Sequence, residues 1–202
     1  MIRVLIAEDQ ALVRGAIAAL LGLEPDIEVV AEAGRGDQVL DLALKTRPDL
    51  ALIDIEMPGN DGLEAAALIH ERLPSCRTII LTTFGRPGYL KRALENGAIG
   101  FLTKEAPVAE LAAAIRRAMA GERVIDLKVA LAALSEGDNP LTPREKEVLT
   151  CAGRGSSIAG IAASLFLSEG TVRNYLSTAI QKLGAINRTD AWRKAKDKGW
   201  LP

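Results

Sequence analysis

Apolar and polar positions alternate in blocks along the first part of the chain. Apolar runs typical of buried strands lie near residues 3–7, 28–33, 50–55, 77–83 and 100–104. Apolar residues recur at helical spacing near residues 11–22, 36–47, 62–73, 88–96 and 107–120. Strands and helices that alternate at these lengths predict a parallel sheet covered by helices on both faces. We therefore expect an α/β domain.

The block pattern ends near Gly121. Residues 126–134 are predicted to form a short helix, and residues 135–140 are rich in turn-forming residues. The chain is accordingly divided into a first domain over residues 1–121, a partly helical linker over 122–140 and a second domain over 141–202.

The second domain is predicted to be all-helical. Thr142 and Glu145 form the pattern of a capping box at the start of its first helix. A short helix near residues 157–165 is followed by a tight turn and by a longer helix over residues 168–183. This order is typical of a helix-turn-helix, in which the longer helix enters the DNA major groove.

Charge is divided unevenly between the two parts. Residues 1–138 hold 15 basic and 21 acidic side chains, whereas residues 139–202 hold 10 and 5. This asymmetry favours different partners, with nucleic acid for the second domain. No apolar run reaches the roughly 18 residues that a membrane span requires, so we expect a cytoplasmic protein without membrane insertion.

The scarcity of histidine and cysteine narrows the chemistry. His70 is the single histidine, which disfavours histidine-based catalysis and histidine-rich zinc sites. Cys76 and Cys151 are far apart and are expected to be reduced thiols.

Polar residues follow four of the predicted strands. They are Glu8 and Asp9 after the first strand, and Asp54, Thr82 and Lys104 at the carboxyl ends of the third, fourth and fifth. Open α/β sheets bind ligands at the carboxyl ends of their strands. The sequence therefore predicts a functional site at this edge of the sheet.

The residue types at this edge suit phosphoryl transfer. Four groups are expected to hold Mg²⁺, namely the carboxylates of Glu8, Asp9 and Asp54 and the backbone carbonyl of Glu56. Asp54 would attack phosphorus and form an acyl phosphate. Lys104 would neutralise one phosphoryl oxygen, and the Thr82 hydroxyl would donate a hydrogen bond to another.

These residues, with Met57-Pro58 and Asp61-Gly62 after Asp54, resemble the receiver domain of bacterial two-component response regulators. The resemblance implies a flavodoxin-like fold whose five parallel strands lie in the order 2-1-3-4-5. It also implies Mg²⁺ binding and phosphorylation of Asp54 by a sensor histidine kinase. Phe101 would occupy the family's aromatic switch position.

The second domain resembles the LuxR-type helix-turn-helix in residues 141–145, 168–175, 182–184 and 187–189. Both domains together imply the NarL/FixJ class, whose members are DNA-binding transcriptional response regulators and not enzymes. Residues 82–89, 170–175 and 198–200 are similar to the regulators of membrane-lipid fluidity that control fatty-acid desaturase.

The longer helix is expected to carry the contacts to double-stranded promoter DNA. Its predicted base-reading face consists of Arg173, Asn174, Ser177 and Gln181. Thr171 and Lys182, near the two ends of the helix, are predicted to contact phosphates. Phe166 stands in the preceding turn where the family usually has glycine, so a positive φ there would strain it.

A homodimer on phosphorylation is also expected. The first and fifth receiver helices are apolar over more of their circumference than a surface helix needs. The predicted interface, which would bring two helix-turn-helix units to two-fold-related half-sites, consists of Leu12, Val13, Ala16, Leu111, Ile115, Arg116 and Met119. The alternative interface is helix four, with Lys91 and Arg92.

Two rival functions remain open. One is an atypical regulator that works without phosphorylation. The other is a Mg²⁺-dependent phosphohydrolase with an aspartyl-phosphate intermediate. Such enzymes usually place an aspartate two residues after the nucleophile, whereas this chain has Glu56, which disfavours the enzyme.

Overall fold

The computed structural model describes residues 1–83, 87–105, 107–135 and 139–201. The chain forms two compact units, one built around a sheet and one built from helices. Residues 136–138 of the predicted linker turn, and residues 84–86 of the predicted lipid-regulator motif, lie outside the described residues.

All strands of the first unit pair in parallel. They are β1 (Ile2–Ala7), β2 (Ile27–Ala33), β3 (Leu50–Asp54), β4 (Arg77–Thr82), β5 (Gly100–Thr103) and β6 (Val124–Ile125), in the order β2-β1-β3-β4-β5-β6. The registers pair Asp54 with Leu81 and Thr82 with Thr103, so the carboxyl ends of the central strands lie side by side. This confirms the predicted parallel α/β fold and its strand order.

The sixth strand departs from the predicted five. In β6, Val124 is buried and pairs with Gly100, and its N–H donates to the carbonyl of Ile99. Two residues further along the chain, the N–H of Asp126 donates to the carbonyl of Phe101. A two-residue strand is too short to show an alternating pattern, so the sequence did not reveal it.

Among the described residues, six helices precede residue 143. They are α1 (Ala11–Leu21), α2 (Gly36–Thr46), α3 (Gly62–Arg72), α4 (Pro87–Glu95), α5 (Val108–Met119) and α6 (Leu127–Ser135). Ile17 and Leu21 of α1 join Leu111 and Ile115 of α5 in one buried cluster with the strands, so α1 and α5 cover the same face. Since β3 is buried along its whole length, its continuous apolar pattern reflects cover on both faces.

The second unit is helical throughout its described elements. These are α7 (Pro143–Gly153), α8 (Ile158–Leu165), α9 (Glu169–Lys182) and α10 (Arg188–Asp197). Each helix has a polar N-cap whose side chain accepts a backbone N–H, respectively Thr142, Ser157, Ser168 and Asn187. The predicted helix, turn and longer helix are therefore present as α8 and α9, packed with α7 and α10 around one apolar core.

Within the described ranges, no helix has the length and apolar character needed to cross a membrane. Cys76 and Cys151 are both free thiols, and burial raises the pKa of Cys76 to about 12.

Candidate functional site

Three carboxylates converge at the carboxyl edge of the sheet. Glu8 and Asp9 follow β1 and Asp54 ends β3, and one carboxylate oxygen of each lies within 4.8 Å of the others. Glu8 and Asp54 are buried, at 1 % and 4 % exposure, whereas Asp9 is exposed. Two buried oxygen donors beside one solvent-facing donor fit a hard divalent cation that keeps some of its water.

Lys104 completes this acidic cluster. Its Nζ lies 2.5 Å from Glu8 Oε2 and 2.9 Å from Asp54 Oδ2. The backbone holds the side chain there, because the N–H of Lys104 donates to the carbonyl of Thr82 at 2.8 Å. One ammonium group thus bridges two carboxylates that would otherwise repel each other at short range.

The protonation equilibria of the cluster reflect its burial. Burial raises the pKa of Asp54 to about 6, and the nearby Lys104 ammonium only partly offsets that effect. Burial alone would lower the pKa of Lys104, but its bonds to Glu8 and Asp54 outweigh burial and raise the pKa. Lys104 therefore stays charged at neutral pH, while the charge of Asp54 is costly to maintain.

Other predicted site residues lie around this cluster. Thr82 is buried at the end of β4, one position beyond the residue paired with Asp54. The backbone N–H of Glu56 hydrogen-bonds to the Asp54 carboxylate, which places residue 56 beside the site. Phe101 is fully buried in β5, so its ring lies inside the unit in this structure.

Two features of the site escaped the sequence analysis. Arg14 in α1 donates to the carbonyl of Glu8 at 2.6 Å and forms an ion pair with Glu32 at 3.4 Å, which fixes the loop after β1. Gly62 begins α3 so close to β3 that an added Cβ would lie 1.8 Å from the carbonyl oxygen of Asp54. The spacing of apolar residues gives no information about the contacts of Arg14. The Asp61-Gly62 pair, in contrast, could have indicated that α3 begins close to β3.

The outer face of α9 carries the predicted DNA-contacting residues. Arg173, Asn174, Ser177 and Gln181 are all exposed, and Thr171 is half-buried beside its N-cap. Arg173 forms an ion pair with Glu169 one turn earlier at 2.8 Å. Because both side chains are solvent-exposed, this pair is weak and can open when a stronger partner arrives.

Lys182 was predicted to contact a DNA phosphate. Unlike the other predicted DNA-contacting residues of α9, it forms an ion pair with a buried carboxylate. Its Nζ lies 2.9 Å and 2.8 Å from the two carboxylate oxygens of Glu145, which is 4 % exposed. Glu145 also accepts the N–H of Thr142 in the capping box. Lys182 thus neutralises a buried carboxylate that closes the start of α7, a contact that points to stabilisation of the domain.

Phe166 has the strained backbone that the sequence suggested. It ends α8 in the left-handed region, with φ 56° and ψ 46°, and its side chain is 95 % exposed. The phenyl ring therefore buries almost no surface that would offset the backbone cost.

The predicted dimer surface is only partly available. Leu12 and Ala16 are exposed on α1, whereas Val13 and Met119 are half-buried against the core. Arg116 is held by ion pairs to Glu24 and Asp26, both at 2.6 Å. Including Leu111 and Ile115 was wrong, because they are 5 % and 0 % exposed and cover the sheet.

On the alternative surface, α4, Lys91 is exposed and Arg92 is half-buried. Arg92 contacts Asp61 at 3.4 Å.

Comparison with known families agrees with this architecture. Residues 4–116 match the response regulator receiver domain, and residues 139–195 match the bacterial regulatory proteins of the luxR family. The chain therefore belongs to the two-component response regulators that combine a receiver with a LuxR-type DNA-binding domain. The predicted class is confirmed: a phosphorylation-activated, DNA-binding transcriptional regulator rather than an enzyme.

Individual relatives extend the match over the whole chain. The chain is 46% identical over 201 residues to the transcriptional regulatory protein DesR of Bacillus subtilis, covering 100% of both chains. It is 45% identical over 201 residues, again with 100% of both chains covered, to the uncharacterized transcriptional regulatory protein YvfU of the same organism. Among solved structures, the response regulator RcsB in a DNA complex is 25% identical with a TM-score of 0.68, covering 97% of this chain and 98% of that chain.

Proposed function

We propose that Asp54 is the phosphoryl acceptor of this regulator and that a sensor histidine kinase is the donor. The observation that carries the proposal is the acidic cluster, in which Asp54 and Glu8 share the Lys104 ammonium and Asp9 lies beside them at one edge of the sheet. A Mg²⁺ ion held by Glu8, Asp9, Asp54 and the Glu56 carbonyl would offset the repulsion between Asp54 and the phosphoryl oxygens.

The residues of the chain supply the rest of the chemistry. An Asp54 carboxylate oxygen forms the bond to phosphorus as the phosphorus–nitrogen bond of the donor phosphohistidine breaks. The Lys104 ammonium, already 2.9 Å from Asp54 Oδ2, pairs with a phosphoryl oxygen, and the Thr82 hydroxyl hydrogen-bonds to another. Phe101 is the proposed switch, since its buried ring lies on the strand that leads to Lys104.

Phosphorylation with acetyl phosphate and Mg²⁺, followed by intact-mass measurement, tests the acceptor. The wild type should gain the mass of one phosphoryl group, and Asp54→Asn should gain none because an amide is a poor nucleophile. Asp37→Asn, at an exposed position in α2, is the matched control and should react normally. An adduct on the Asp54→Asn variant would assign phosphorylation elsewhere, and an unmodified wild type would favour a phosphorylation-independent regulator.

The outer face of α9 is the proposed DNA-reading surface, with Arg173 and Asn174 contacting bases and Ser177 and Gln181 beside them. Thr171 is proposed to contact a phosphate from the start of the helix. Arg173→Ala should weaken binding to the target promoter by about 1–3 kcal/mol and relax the preference at one base pair. Arg144→Ala, which removes a similar exposed ion pair from α7, should leave affinity unchanged. A uniform loss across promoter variants would make Arg173 a phosphate contact.

The exposed part of α1 is the proposed centre of a phosphorylation-strengthened homodimer. Leu12 is 87 % exposed, and Ala16 follows one turn later on the same helix. Leu12→Glu should weaken the phosphorylated dimer at least about tenfold in analytical ultracentrifugation without unfolding the monomer, because it places charges at an apolar contact. The matched change on α4, Lys91→Glu, should have little effect. The reverse result would move the interface to α4.

A further inference from the structure

The short strand β6 attaches the linker directly to the strand that carries the phosphoryl-site lysine. Val124 and Asp126 donate their N–H groups to the carbonyls of Ile99 and Phe101, at 3.1 Å and 2.9 Å. These bonds make residues 124–126 part of the sheet edge. Whatever moves the end of β5 therefore acts on the start of the linker.

A side-chain contact reinforces this attachment. Thr103 Oγ1 donates to Asp126 Oδ2 at 2.9 Å, and the other oxygen, Asp126 Oδ1, accepts the N–H of Lys128 at 2.8 Å. Lys128 lies in the first turn of α6. One carboxylate thus holds the last residue of β5 and caps the linker helix at the same time.

Thr103 is adjacent in the chain to Lys104, whose ammonium bridges Glu8 and Asp54. A phosphoryl group on Asp54 adds charge, and its oxygens lie farther from β3 than the carboxylate oxygen to which the phosphorus is bonded. Lys104 must follow those oxygens to remain paired. Because Lys104 and Thr103 share a peptide bond, any part of that movement taken up by the backbone at Lys104 also displaces Thr103 and its hydroxyl.

We propose that Thr103 and Asp126 form the coupling between the acidic cluster and the linker helix α6. Asp126 acts as a positioning residue for two elements, because one carboxylate oxygen binds the end of β5 and the other binds the start of α6. This inference rests on the proposed phosphorylation of Asp54 and adds the route by which that event reaches the linker. Only one side-chain hydrogen bond separates the backbone of Lys104 from the cap of α6.

Thr103→Val removes the hydrogen bond between Thr103 and Asp126 and leaves the other contacts of Asp126 in place. Valine is close in shape to threonine but has no hydroxyl, and the cap from Asp126 to Lys128 remains. Thr103→Ser restores the hydroxyl and should restore coupling. Thr46→Val is the matched control, because Thr46 donates its hydroxyl to the Leu42 carbonyl within α2, away from α6.

The readouts use the full-length protein with and without acetyl phosphate and Mg²⁺. In the wild type, phosphorylation should change amide exchange at the start of α6 by about threefold or more, a modest coupling by the standards of regulated proteins. Thr103→Val should accept one phosphoryl group yet lose that change, and its phosphorylation-induced gain in promoter affinity should shrink by a similar factor. Thr103→Ser and Thr46→Val should both behave as wild type.

The outcomes separate this inference from the proposed function. If the wild type accepts no phosphoryl group on Asp54, the proposed function fails first. If phosphorylation occurs but α6 exchange responds equally in the wild type and Thr103→Val, the coupling is wrong while the acceptor assignment stands. An α6 that does not respond in the phosphorylated wild type overturns the coupling in the same way.

Discussion

Replacing Asp54 with asparagine should stabilise the receiver at neutral pH when no divalent cation is present. Asp54 is 4 % exposed, and burial raises its pKa from 3.8 to about 6 despite the Lys104 ammonium. The folded protein therefore binds a proton on the Asp54 carboxylate more tightly than the unfolded chain does. It follows that the free energy of unfolding decreases as the pH rises from about 4 to about 6.

The size of the effect follows from that shift. At about 1.4 kcal/mol for each pKa unit, a shift of roughly two units corresponds to about 3 kcal/mol. Asparagine resembles the protonated carboxyl in shape and lack of charge. We therefore expect Asp54→Asn to be more stable than the wild type by up to about 3 kcal/mol near neutral pH, and the two proteins to converge below about pH 4.

Two spectroscopic signals separate the receiver from the helical unit. Both tryptophans, Trp192 and Trp200, lie in the helical unit, so their fluorescence reports its unfolding. Far-UV circular dichroism includes the receiver transition as well. Urea titrations in EDTA across the pH range should show the gain in circular dichroism but not in tryptophan fluorescence.

Two controls make this test decisive. The pKa of Asp37 is lowered by its hydrogen bond to Arg35, so Asp37→Asn should not stabilise the protein. Added Mg²⁺ should stabilise the wild type more than Asp54→Asn, because binding to the folded state alone raises the free energy of unfolding. Equal stability of wild type and Asp54→Asn at neutral pH, or a difference that persists undiminished at pH 4, would refute the electrostatic reasoning.

Two further changes test the helical unit by tryptophan fluorescence. Phe166→Gly should raise its stability by about 0.5–1 kcal/mol, because relief of the left-handed backbone exceeds the entropic cost of glycine, while Phe166→Ala should give no such gain. Lys182→Ala should lower stability by about 1–3 kcal/mol, since it leaves the buried Glu145 carboxylate without its counter-ion. The salt dependence of DNA binding should stay the same in Lys182→Ala, and a slope flatter by about one would instead make Lys182 a phosphate contact.

Much of the fold could be predicted from periodicity because each long element has a distinct pattern. The strand ending at Asp54 and the helix beginning at Pro143 lie within a residue or two of their predicted bounds. Capping residues such as Thr142 marked helix starts with a direct physical cause, since their side chains satisfy free backbone N–H groups. The convergence of Glu8 with Asp54 followed from the geometry of parallel strands.

The missed features depend on contacts between distant parts of the chain. Leu111 and Ile115 have the composition of an interface, but only packing shows that the sheet already covers them. Lys182 lies near the end of α9 and was predicted to contact a phosphate, yet its partner Glu145 lies 37 residues earlier. The bond between Thr103 and Asp126 depends on a strand of two residues. A sequence pattern reports spacing along one element and not such pairings.

Each unit contains a buried carboxylate held by one lysine, and the pKa shifts show that the two pairs differ in kind. Burial favours the neutral form of Glu145, but the bonds from Lys182 and Thr142 outweigh it and lower the pKa. At Asp54 burial prevails over Lys104, and the pKa rises. A carboxylate whose charge is fully compensated stabilises the fold at pH values above its pKa in the unfolded chain. A carboxylate whose charge is not fully compensated destabilises the fold at those pH values, and binding of a cation removes part of that cost. The lowered pKa agrees with a structural role for Glu145, and the raised pKa agrees with the proposal that Asp54 is the phosphoryl acceptor.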